Sequence, residues 1–137
     1  MTTLNDVYRK CGSNEAFIVA IETELRKLAE EKPDFQYKTV PRNGVCHYGG
    51  PCRNGSELLG PECSGCIFGQ ALQRLGWNSM IEMEFVTPIA DLCGRFIGEN
   101  IRIPQSWVTL QQCQDSCEPW SQAISALELN PFMVRTK

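Results

Sequence analysis

A chain of 137 residues with 42% hydrophobic side chains has the length and apolar content of one domain whose core closes without crosslinks. Sixteen acidic against 13 basic residues give a net charge of −3 with no run of five like charges, and the scatter of Lys38, Arg42 and Arg53 falls short of a phosphate-binding face. The first ten residues lack the marks of a secretory signal and no apolar stretch reaches the length of about eighteen that spans a bilayer, so a cytoplasmic protein with no membrane contact is expected.

Thr2 or Thr3 can cap a short helix over residues 4–11, and after Gly12 a second cap at Ser13 or Asn14 opens a longer helix over residues 14–31. Phe17, Ile21, Leu25 and Leu28 form its apolar stripe, Glu22, Glu24, Arg26, Lys27, Glu30 and Glu31 its charged face, and Pro33 its stop. Phe35, Tyr37 and Thr39 alternate with Gln36, Lys38 and Val40, and Pro41-Arg42-Asn43-Gly44 leads into Val45-Cys46-His47-Tyr48. This pattern predicts a β-hairpin over about residues 35–48. Residues 49–65 are rich in glycine and poor in apolar side chains, which makes them a loop that only its cysteines can pin.

Helical spacing resumes over residues 66–75, with Gly76 placed as a left-handed cap. Further helices are predicted over residues 79–86, over 89–97 behind Thr87-Pro88, over 105–117 behind Pro104 and over 120–129 behind Pro119, with frayed residues after them. No internal repeat or linker divides residues 1–137, so they read as a single domain with its carboxy-terminal helices over residues 79–129.

Four cysteines and the single histidine fall within residues 46–66, as Cys46-His47-x4-Cys52-x10-Cys63-x2-Cys66. Zinc takes four thiolate or imidazole ligands, and ligand pairs from separate elements reduce the loop entropy that the metal must overcome. Cys46, Cys52, Cys63 and Cys66 make such a set, with His47 as a substitute ligand. Uncoordinated thiols, a disulfide and an iron–sulfur cluster are the alternatives, and the spacing matches neither ferredoxin pattern.

A catalytic reading uses the same residues. Cys66 opens a helix, where amide N–H groups and the dipole favour thiolate, and His47 would be its base. Cys63-x2-Cys66 as a redox pair lacks the βαβ unit that usually carries it. Cys113 and Cys117 lie one helical turn apart and, like Cys11 and Cys93, are assigned to packing. Trp77, Trp107 and Trp120 are assigned to the core, and Gln111-Gln112-Cys113-Gln114-Asp115 reads as a solvated face able to meet a partner.

Cys46-x-Tyr48 with Ser64-Gly65-Cys66-Ile67-Phe68-Gly69-Gln70-Ala71-Leu72-Gln73-Arg74-Leu75-Gly76, then Leu110-Gln111-x2-Gln114-Asp115-x3-Pro119-Trp120-x2-Ala123, resembles small hypothetical proteins of actinobacteria and their phages. The resemblance covers residues 34–126 and implies no activity. In that pattern counterparts of Cys46 and Cys66 recur, whereas Cys52 and Cys63 are additions of this sequence. The resemblance therefore implies a shared strand–helix junction, with zinc as an elaboration.

The combined expectation is an α+β fold: a mainly helical single domain of five or six helices with one short β-hairpin, packed beside the helix at Cys66 and covered by the amino-terminal helix. The expected function is that of a non-enzymatic interaction protein, phage-encoded or phage-related, which binds a bacterial host or phage protein in the cytoplasm. Nucleic acid is not an expected partner. The alternatives are a cysteine-dependent enzyme with Cys66 as nucleophile and His47 as base, and a zinc-dependent transcription regulator that contacts DNA or the polymerase.

Overall fold

The computed structural model describes residues 3–35, 53–54, 57–58, 67–77, 89–98, 101–116, 118–128 and 133–135. Among them six α-helices and a 3-10 helix dominate. The chain runs through α1 (Leu4–Cys11), α2 (Asn14–Glu31), β1 (Arg53–Asn54), β2 (Glu57–Leu58) and α3 (Ile67–Arg74). It continues through α4 (Ile89–Phe96), β3 (Arg102–Pro104), α5 (Gln105–Asp115), α6 (Trp120–Ala123), the 3-10 helix Ile124–Glu128 and β4 (Met133–Arg135). None of these helices is long and apolar enough to cross a membrane.

The first two helices carry their own caps. Thr3 accepts a hydrogen bond from the Asp6 amide while the Asp6 carboxylate takes the Thr3 N–H, a reciprocal box that also holds the Asp6 carboxyl below its ordinary range. Gly12, at φ 93°, closes α1 in the left-handed region that costs glycine nothing, and Ser13 then caps α2 through the Ala16 amide. Helix α2 ends at Glu31, two residues before Pro33. Its stripe of Phe17, Ile21, Leu25 and Leu28 is fully buried, chiefly against α3.

Helix α3 is buried nearly all round, from Ile67 to Leu72. It stops in a Schellman turn: the Gly76 N–H meets the Gln73 carbonyl, the Trp77 N–H meets the Leu72 carbonyl, and the Trp77 ring is buried beyond the turn. Gly76 takes the positive φ of 103° that this turn demands.

A continuous aromatic line crosses the core. The Tyr8 ring meets Phe17 edge-on at 5.0 Å, Phe17 stands 6.2 Å from Trp107, and Trp107 stands 5.5 Å from Phe68, so α1, α2, α5 and α3 share one line of packed rings. Trp77, Trp107 and Trp120 all belong to this single hydrophobic cluster, as their sequence context predicts.

The carboxy-terminal end departs from the sequence reading. The predicted helix over residues 120–129 is α-helical only over Trp120–Ala123 and then tightens to 3-10, where the Ser125 hydroxyl donates to the Gln122 carbonyl at 2.6 Å. The residues expected to fray include β4, which pairs antiparallel with β3 in the register Arg102↔Arg135, Ile103↔Val134 and Pro104↔Met133. Three-residue strands from distant parts of the chain are too short for alternation to announce them. The predicted hairpin over residues 35–48 and the predicted helix over residues 79–86 lie outside the described residues.

Candidate functional site

Cys46, His47, Cys52, Cys63 and Cys66, the predicted site, lie outside the described residues. What is described is the framework on either side of them and one pairing within their span. The strands β1 and β2 pair antiparallel, Arg53 with Leu58 and Asn54 with Glu57, between the positions of Cys52 and Cys63 in the chain. The two strands are separated by Gly55-Ser56, a glycine-led two-residue connection that signals such a pair in sequence.

Both ends of the span are fixed to the same corner of the fold. Before it, the Pro33 carbonyl accepts from the Ser121 N–H and the Phe35 carbonyl from the Trp120 N–H, each at 3.0 Å. These carbonyls satisfy the first amides of α6, which has no side-chain cap. Phe35 also stacks on Trp120 with centroids 4.5 Å apart, and the Lys32 ammonium lies 5.6 Å and 5.9 Å from the two ring centres. After the span, the Ile67 N–H that begins α3 donates to Gln114 Oε1 at 2.6 Å.

Gln114 has a twin. Gln111, one turn earlier on α5, accepts the Ile89 N–H that begins α4 through its Oε1 at 2.7 Å. Gln111 is 4% exposed and Gln114 is fully buried. The expectation of a solvated, partner-facing surface at residues 111–115 is therefore corrected for Gln111 and Gln114: Gln112 is exposed and Cys113 half-buried, but these two glutamines are buried helix caps supplied from outside the helices they cap. Residues three apart on a helix share a face, and here that face meets two helix starts. The signal for this was two amides at that spacing beside the core residue Leu110, which a polarity reading assigns to solvent.

Two ionic groups stitch α2 to its neighbours. Arg74 on α3 holds Glu31 in a bidentate pair with both bonds at 2.7 Å and reaches Glu24 at 3.8 Å, so the Glu31 carboxyl sits below its ordinary range. The Trp107 indole N–H donates to Glu22 Oε2 at 2.9 Å, which gives that buried ring its polar partner.

The described thiols are not activated. Burial pushes Cys11 and Cys113 up from the ordinary thiol value, with the Glu118 carboxylate adding to the effect at Cys113, and pushes the fully buried Cys93 up to about 12. Cys93 should accordingly be the last of the three to react with iodoacetamide, at the rate of global unfolding, while half-exposed Cys11 and Cys113 react in the native state. Peptide mass mapping over time checks the order. A thiol with a raised folded value supports the fold fully below the unfolded value of 9.0 and loses that support as pH climbs towards about 12, so alkaline unfolding should begin above about pH 9.

Among the described residues no group of three or more His, Cys, Asp or Glu side chains is arranged to hold a metal. The metal proposal thus rests on the spacing of Cys46, Cys52, Cys63 and Cys66. Comparison with known proteins finds no match for this chain, whether among protein-family models, curated proteins or solved structures.

Proposed function

We propose that this chain is a non-enzymatic interaction protein of the bacterial cytoplasm, phage-encoded or phage-related, which presents residues 49–65 to a bacterial host or phage protein. The observation that carries the reading is the common anchorage of the span: Pro33 and Phe35 on one side and Ile67 on the other are tied to Ser121, Trp120 and Gln114. A segment tied to α6 at residues 33–35 and to α5 at Ile67 has less conformational freedom to lose on binding than one tied on a single side, and residues 49–65 lie within that segment. Cys46, Cys52, Cys63 and Cys66 would hold a structural zinc ion, with His47 as the substitute ligand, and the ion would restrict the loop further. The binding reading stands ahead of the Cys66–His47 enzyme because a cysteine at the start of a helix is by itself weak ground for catalysis, and the single histidine allows only one such pair.

The test is zinc and iron content of protein purified without chelator, thiol counting before and after denaturation, and affinity capture from bacterial lysate with the wild type and the Cys52→Ser/Cys63→Ser variant. One zinc per chain, thiols protected until a chelator is added, and a protein retained by the wild type alone are the expected results. Absence of metal together with a single thiol alkylated well below about pH 8 would replace this reading by the enzyme.

A further inference from the structure

A surface groove of about 460 Å³ runs between the last two turns of α2 and the 3-10 helix that follows α6. Apolar Ala29, Pro33 and Ile124 line it with Ser121 and Ser125, and the charged residues of its lining are Arg26 and Glu30 from α2 and Glu128 from the 3-10 helix. From Arg26 to Pro33 the groove is roughly 10 Å long, the length of two turns of a partner helix.

The rim charge is unbalanced. Arg26 Nη2 lies 3.2 Å from Glu128 and 3.9 Å from Glu22, so one cation is divided between two carboxylates. Glu30 is exposed and has no ion pair among the described residues. Apolar lining residues beside under-compensated carboxylates disfavour phosphate and favour a cation next to an apolar side chain.

We infer that the groove receives a short amphipathic segment of a partner protein, in which an apolar side chain is flanked within one helical turn by Lys or Arg. The apolar side chain seats on Ala29 and Ile124, and the cations meet Glu30 and Glu128. The Arg26–Glu128 bridge crosses the groove from wall to wall and occupies one of these carboxylates. Glu128 is 73% exposed on its side chain, so the bridge is a weak surface pair that yields to a better-placed cation. This surface is distinct from residues 49–65, and the inference stands whether or not that loop binds.

The probe is a random peptide display library screened against the full chain, followed by 15N amide shift mapping with the enriched peptides and by affinities for three exposed-site variants. Expected are peptides with Lys or Arg beside an apolar residue, and shifts centred on Ala29, Glu30, Ile124 and Ser125. Glu30→Lys and Glu128→Lys should each weaken binding by about tenfold, Arg26→Ala should strengthen it by about threefold, and added salt should weaken it in every chain except the charge-reversed ones. Circular dichroism checks that the variants stay folded. No enrichment, enrichment of acidic or uncharged peptides, shifts confined to other surfaces, affinities indifferent to charge reversal, or occupation of the groove by a second copy of the chain would each overturn the inference.

Discussion

Gln114→Leu is expected to lower stability by about 1–3 kcal/mol although it places a more apolar side chain at a fully buried position. The sign follows from what the glutamine does. Its Oε1 accepts the Ile67 N–H inside the protein, and leucine leaves that amide without a partner in an environment that water does not reach. Gln111→Leu should act in the same way on the Ile89 amide of α4, and the double variant should lose about 2–5 kcal/mol, short of strict additivity because both side chains stand on one face of one helix. Gln112→Leu, on the exposed face between them, should change stability by no more than about 0.5 kcal/mol. Urea unfolding followed by tryptophan fluorescence measures all four, and hydrogen exchange at Ile67 and Ile89 assigns each loss to its helix start. A Gln114→Leu chain as stable as the wild type would mean that the cap contributes nothing.

Trp107→Ala should have the largest single effect, about 3–5 kcal/mol, because the ring is fully buried and stands between Phe17 and Phe68 in the line of aromatic contacts. Against a total stability of roughly 5–15 kcal/mol for a domain, that loss brings the chain near its unfolding threshold. At this chain length it corresponds to a drop in Tm of roughly 10–20 °C. Trp107→Phe separates ring from donor. It keeps most of the packing and removes only the N–H bond to Glu22, whose side chain is 23% exposed and can turn to water, so about 1–2 kcal/mol is expected. Equal losses in the two variants would place the energy in the hydrogen bond; a loss under about 1 kcal/mol in Trp107→Ala would show that the line of rings does not hold the core together.

The helical part of this fold is legible in sequence because it is written locally. Thr3, Ser13, Gly12 and Gly76 do their work within a few residues of themselves, and the stripe Phe17, Ile21, Leu25, Leu28 needs only the helical period to be seen. What escaped is written at a distance. The strand pair β3–β4 joins Ile103 to Val134 with α5, α6 and the 3-10 helix between, and the buried role of Gln111 and Gln114 appears only once α3 and α4 are set against α5. Polarity predicts exposure only when the polar group lacks a partner in the fold, and these amides have theirs. The cysteine cluster is the reverse case: the spacing of Cys46, Cys52, Cys63 and Cys66 suggests a metal site in the sequence alone, whereas the described residues supply the contacts to which its flanks are tied. The groove between Arg26 and Glu128 had no sequence signal, since its two walls come from opposite ends of the chain.

The remote caps also impose an order on synthesis. Helices α1 and α2 carry their own N-terminal partners and can stand as soon as they are made, but the first residue of α3 is made 47 residues before the ribosome reaches the glutamine that caps it. At translation speeds of about 5–20 residues per second, that interval lasts roughly 2–9 s. Throughout it the apolar surface of Ile67, Phe68, Ala71 and Leu72 has α2 as its principal cover and a first amide without Gln114. The nascent chain is thus most exposed to misassociation and to chaperones midway through its length, and the arrival of α5 ends that period for α3 and α4 together.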